Sequence, residues 1–489
     1  MSNKSIAKNY IYNLIFQFFK LLAPLLVTPY IARVLGENGT GKYSFSYSIV
    51  TYFLLFAALG FATYAQRLVA SHQGDKKQQS IDFWEIIISR LIPVSITLII
   101  YYILVALNVY GEKYNTLLAI FSIEVIAIAF DVSFFLQGNE EFGKTVLSSV
   151  VVKLLSYICM FIFVKKVNDL WKYVLIQSLS VLLTNISMWL YIPRYIEKTS
   201  IKKLKILKHI PATLILFLPT IATSIYTSLD KTLIGIITQS DAENGNYEYA
   251  EKLVKFALTF LTSLGSVLIP RNSKKFSEGD IVAVKNNIYK STKFVFFFGM
   301  PLMFGCILVS DSFVPWFLGS GYLKVATLMK LLSPIIIFIG LSNVFGLQYL
   351  IPSKQDKKFT FALVSGAVVN FVLNIILIPL FNSYGAAVAT VIAELLITII
   401  MIISIKNEIS ISIIIKQALK CTAASIIMFL ICINIQILIK TDISFFIIII
   451  VGATIYIIVL AILKELALYE VFDLLMKVFK IERFSRNHK

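Results

Sequence analysis

Charge is scarce in this chain: Asp, Glu, Lys and Arg make up 15% of 489 residues, whereas 58% are hydrophobic. A soluble globular domain carries about a quarter of its residues as charges, so a large water-facing domain is excluded. Cysteine is equally thin. Cys159, Cys306, Cys421 and Cys432 all fall in apolar stretches with no CxxC spacing, which excludes a disulfide framework and makes them buried thiols. The three histidines, His72, His209 and His488, stand apart from one another, so no metal cluster is predicted. No cleavable leader is expected: Met1–Asn9 is short and basic, and the apolar stretch beyond it is a full span without a small-residue cleavage site.

What the chain has instead is about fourteen apolar stretches, each long enough to cross a bilayer of roughly 30 Å. They begin with Tyr10–Ala32, Tyr43–Gln66, Phe83–Leu107, Tyr114–Leu136, Val146–Val164 and Leu170–Tyr191. A second set runs from Ile210–Ile237 to Ala386–Ile405, and two more, Ile413–Ile439 and Ile443–Leu463, close the membrane part. Segments of this length without water to satisfy their backbone must be helices, because a β-barrel shows short alternating segments. The fold class predicted is an all-α integral membrane protein of about fourteen transmembrane helices.

The formal charge of +18 does not point to nucleic acid, because the basic residues gather in alternate loops. Lys76 and Lys77, Arg194 to Lys208, Arg271 to Lys290 and Lys354 to Lys358 mark every second loop, while Lys165 and Lys166 break the pattern. An even number of spans then predicts both termini in the cytoplasm and a multi-pass protein of the cytoplasmic membrane. Five segments result: a six-helix lobe at 1–192, a basic linker at 193–209, a second six-helix lobe at 210–406, two added helices at 407–463 and a tail at 464–489. The tail spaces Leu466, Leu468, Val471, Phe472, Leu475, Val478 and Phe479 helically before a basic end, the pattern of a segment lying on anionic lipid headgroups.

The two sets of six look like copies. Glu37-Asn38-Gly39 precedes Tyr43, and Glu243-Asn244-Gly245 precedes Tyr247; the separations Tyr43 to Arg67 and Tyr247 to Arg271 are equal. Leu136-Gln137 and Leu347-Gln348 each close a fourth span. Duplicated bundles of even count share one orientation and rock about a central site, which predicts a V-shaped pair and alternating access.

Several residues carry a family likeness. They are Pro29 to Gly36 followed by Gly39, Gly41 and Tyr43; Leu59-Gly60 and Tyr64 to Arg67; Asp230-Lys231; Tyr247 to Lys252; and Ile269-Pro270-Arg271. Later come Pro301, Leu318-Gly319, Tyr322, Asn343, Gly346, Gln348, Pro352, Asn370, Asn374, Pro379, Gly385-Ala386-Ala387 and Glu394. In this order the chain resembles the polysaccharide flippases, the Wzx or PST branch of the MOP superfamily, to which MATE exporters and MurJ-type lipid II flippases are related. The resemblance implies transfer of an undecaprenyl-diphosphate-linked oligosaccharide to the outer leaflet for capsule, O-antigen or a related polymer. It also implies antiport coupled to H⁺ or Na⁺, no other cofactor, and a polysaccharide polymerase and chain-length proteins as partners.

A diphosphate leaving water needs Arg or Lys facing it. Lys20, Lys153, Lys231 and Lys255 lie inside spans, and Arg33, Arg67 and Arg271 lie near span ends, where snorkelling to the interface is the competing role. Arg90 is read as an interface anchor. Glu124 and Asp131, seven apart and so on one face of the fourth span, together with Asp230 and Glu394, are the candidates for ion coupling. Asp230 and Lys231 are neighbours on a helix and must point apart. An enzyme is disfavoured, since the external loops are short and lack DxD, GxSxG or a His-centred site. A drug exporter is disfavoured by the many intramembrane cations.

Overall fold

The computed structural model describes residues 3–197, 199, 204–438, 444–465 and 468, with side chains from residue 23 onward except 218–227, 264, 266 and 267. Among these residues there is no strand. The helices are α1 (Asn3–Ala58), α2 (Phe61–Ser71), α3 (Lys76–Ala106), α4 (Asn115–Ala129), α5 (Ser133–Gly138), α6 (Phe142–Phe163), α7 (Leu170–Met188) and α8 (Ile210–Thr238). They continue as α9 (Asp241–Ser277), α10 (Ile281–Leu318), α11 (Leu323–Leu332), α12 (Ile335–Ser342), α13 (Asp356–Phe381), α14 (Ser383–Ile405), α15 (Ile411–Leu438) and α16 (Ser444–Ile462).

Among the described residues eleven helical stretches are long and apolar enough to cross a membrane, and a twelfth results if the pair Ser320–Leu332 and Ile335–Leu350, bent by 47°, is one span. Two of the fourteen expected spans are not counted separately among the described residues. The first two expected spans are one run, α1, interrupted only at Gly36, whose φ of 67° and ψ of 176° break the helical path. The span expected at Ile210–Ile237 is α8, a helix of 29 residues. Most of the expected tail, and residues 198 and 200–203 of the expected linker, lie outside the described residues.

Two compact units divide the chain, Met1–Glu248 and Tyr249–Lys489. In the first, α1 packs against α3, α4, α6 and α8, and α4 packs against α7. Helix α8, placed by the sequence in the second lobe, groups with the first unit because it packs on α1 and α2. In the second unit, α13 and α14 form a hairpin turning at Asn382 (φ 52°), and α10 carries α15 and α16 on its side. The Tyr456 hydroxyl fixes α16 by donating to the Phe297 carbonyl at 2.8 Å. Helix starts are sequence-coded where acids stand: Asp75 accepts the Gln78 amide and Asp280 the Ala283 amide. That Ala283 amide, with Lys275, holds the Asp280 carboxyl below its ordinary range.

Candidate functional site

A polar and aromatic seam runs through the first unit. Lys153, midway along α6, donates from Nζ to the neutral amide oxygen of Gln177 at 3.0 Å, and Gln177 donates to the Tyr173 hydroxyl one turn back on α7 at 3.3 Å. The Tyr173 ring meets that of Tyr43 at 5.1 Å. Tyr43 and Tyr47, one helical turn apart on α1, stack in parallel at 5.7 Å, and Phe121 of α4 lies under both at 5.8 and 5.5 Å. One turn further along α4, Glu124 is buried and accepts from Ser178 at 3.2 Å. Helical spacing therefore builds the seam: residues three or four apart on α1, α4 and α7 face a single line. An ammonium, amide groups and tyrosine faces side by side suit an anionic group attached to sugar.

Asp230 and Lys231 point apart, as neighbours on a helix must. Tyr247 donates to Asp230 at 2.6 Å, both buried, while the Lys231 ammonium meets Glu248 at 2.6 Å. Ser44 donates to the same Glu248 carboxylate at 3.0 Å, and Asn244 caps the Lys231 carbonyl at 2.7 Å. Glu248 was missed as a site residue, because its position in the Tyr247–Lys252 motif says nothing about a partner seventeen positions back.

Two expectations are corrected. Helix α4 ends at Ala129, so Asp131 does not share a helix face with Glu124; it stands in the break before α5, where its carboxylate accepts the Ser133 amide at 2.8 Å. Arg90 is not an interface anchor. It is buried, donates to the carbonyls of Ile128 (3.2 Å) and Asp131, and lies over the Phe134 ring at 5.0 Å. At the broken α4–α5 span this guanidinium adds donors to end carbonyls, sharing that of Ile128 with the Asp131 amide at 3.2 Å.

The other candidates are scattered. Lys20 lies on α1, but its side chain is outside the described residues. Arg33, Arg67 and Arg271 are exposed on α1, α2 and α9. Lys255 pairs with Glu251 one turn away at 2.5 Å. Glu394 is buried in α14. In the second unit, helical geometry widens to a π-helix at Asn343–Leu350, and there Ser291 donates to Gln348 at 2.8 Å while Asn272 donates to the Gln348 carbonyl at 2.9 Å. A second site missed in sequence joins α2, α3 and the residues before α8: buried His209 bridges Glu85 at 2.7 Å and Tyr64 at 2.8 Å.

The repeat also has a geometric meaning. A Cβ on Gly41 would stand 1.6 Å from the Asp241 carbonyl oxygen, and one on Gly245 would stand 2.1 Å from that of Glu37. Gly41 and Gly245, like Glu37 and Asp241, are separated by the same interval as Tyr43 and Tyr247. The contact is therefore reciprocal, each glycine admitting the backbone of the other copy. This pairs Gly41, not Gly39, with Gly245.

The family model for polysaccharide biosynthesis proteins matches residues 6–276. The chain belongs to this family. Among its relatives, the "Putative O-antigen transporter" of Escherichia coli is 25% identical over 413 residues, covering 83% of this chain and 97% of that one. The "Probable low-salt glycan biosynthesis flippase Agl15" of Haloferax volcanii is 29% identical over 210 residues, 42% of this chain and 43% of that protein. Among solved structures, lipid II flippase MurJ in an inward closed conformation superposes with a TM-score of 0.76 at 18% identity, covering 93% of this chain and 98% of that one. This multi-pass membrane protein thus shares its fold with that MurJ structure.

Proposed function

We propose that the chain is a flippase that carries a polyprenyl-diphosphate-linked oligosaccharide from the cytoplasmic to the outer leaflet of the cytoplasmic membrane, with both termini cytoplasmic. Transport proceeds by alternating access driven by H⁺ or Na⁺. The observation that carries this reading is the Lys153–Gln177–Tyr173–Tyr43–Tyr47 seam. A diphosphate requires a cation held inside the apolar span, and a pyranose requires amides and an aromatic face beside it. In this reading Lys153 receives the diphosphate, Lys231 joins it when Glu248 turns away, and Glu124 carries the coupling ion. The membership of the polysaccharide biosynthesis family and the glycan-related names of both relatives support the substrate class.

The test is reconstitution in proteoliposomes with a fluorescent polyprenyl-diphosphate oligosaccharide, measuring its movement between leaflets. Lys20→Ala, Lys153→Ala and Lys231→Ala are assayed beside the native chain. Loss of movement in folded variants supports the assignment. Movement of lipid II in place of the oligosaccharide, or efflux of a small cation alone, sinks the substrate claim.

A further inference from the structure

The turn joining α6 and α7 breaks the alternation of loop charge, and its geometry accounts for lysines in that place. Asp169 organises it: one carboxylate oxygen accepts the backbone amides of Lys165 at 2.9 Å and Lys166 at 3.0 Å, and the other meets the Lys172 ammonium at 2.6 Å. The Tyr30 hydroxyl donates to the Val164 carbonyl at 2.7 Å, pinning the turn to α1, and the Lys165 ammonium lies 5.7 Å from the Tyr30 ring centre. Asp169 is thus engaged by the turn itself. Among the described residues no carboxylate pairs with the Lys165 or Lys166 ammonium, and both side chains are exposed.

Exposed apolar residues flank these lysines in the chain. Phe163 is 55% exposed, Val167 57% and Trp171 45%. An exposed tryptophan at the start of α7, with the Lys172 ammonium 5.8 Å from its ring, and exposed lysines on the preceding turn mark the depth where hydrocarbon gives way to headgroups. We propose that this turn is a docking site for the phosphate of an anionic phospholipid in the adjoining leaflet, with Lys165 and Lys166 receiving the headgroup and Phe163, Val167 and Trp171 lying against its chains. Charge complementarity selects an anion, and the apolar rim selects one that brings acyl chains with it rather than a soluble phosphate. The site is separate from the transport seam and stands whether or not the proposed substrate is correct.

The experiment is native mass spectrometry of the full chain in detergent, titrated with phosphatidylglycerol and, separately, with phosphatidylcholine. The native chain should retain phosphatidylglycerol preferentially, and Lys165→Gln/Lys166→Gln should lower its affinity about tenfold while leaving phosphatidylcholine unchanged. Because both lysines are exposed and bonded through their backbone, the double variant should keep its melting temperature. Unchanged phosphatidylglycerol retention overturns the proposal. Displacement of the lipid by inorganic pyrophosphate at equal concentration also overturns it, since the ligand would then be the free anion. Equal loss of both lipids overturns the phosphate contact.

Discussion

Lys231 and Glu248 are each 19% exposed and lie 2.6 Å apart, so their charges are compensated inside the unit rather than by water. Removing one member of such a pair costs about 3–5 kcal/mol because the other charge stays behind, whereas replacing both with apolar groups is far milder. Lys231→Ala should therefore melt well below the native chain, and Lys231→Met/Glu248→Leu should recover most of the difference; equal destabilisation would show that the pair is not coupled. If Lys231 also touches the diphosphate, the double variant regains stability without regaining transport. Lys153 bonds the Gln177 amide, and Lys153→Ala should lower the flipping rate about tenfold to a hundredfold, the scale of one hydrogen bond to a charged group. Sequence made Lys153, Lys231 and Glu124 legible, because a charge inside an apolar run stands out. It hid Gln177, Tyr173 and Glu248, which are ordinary residue types whose meaning comes only from the helix opposite.

At the scale of elements, two glycines decide how closely α1 and the start of α9 approach. Gly41→Ala and Gly245→Ala drive a methyl group into backbone oxygen, which no side-chain rotation relieves, so each should destabilise by about 1–3 kcal/mol or more. Gly305, also helical, has open space where its Cβ would be; Gly305→Ala should be neutral or stabilise by about 0.5–1 kcal/mol. Thermal melts of the three variants in one detergent check the contrast, and similar values for all would deny the close contact. The length and apolar character of the helices could be read directly. Their interruptions could not. Asp131 seemed to continue the helix of Glu124 because hydropathy does not register a break whose carbonyls are capped by Arg90, about forty positions earlier in the chain. Likewise Gly36 is one of many glycines in sequence, and only its positive φ identifies it as the place where α1 turns.

For the whole molecule the loop charges make a definite forecast of which end faces the cytoplasm. Lysines and arginines retained on the cytoplasmic side should dominate the loops at Lys77 and Lys357, whereas Lys166 is an exception on a turn held by Asp169 and Tyr30 rather than placed by the orienting rule. The four native cysteines can be replaced and single cysteines placed at 77, 166 or 357, all exposed positions. A membrane-impermeant maleimide added to intact cells should label position 166 at once and reach 77 and 357 only after permeabilisation. The reverse pattern would invert the direction of transport proposed for the diphosphate. Labelling of all three from outside would mean that the basic loops do not orient this chain at all. Because the orienting bias is counted over short loops near span ends, removing Lys165 and Lys166 should leave the labelling pattern intact, while neutralising Lys76 and Lys77 should weaken it. That difference separates a lysine that sets topology from one that binds at the surface topology has already fixed.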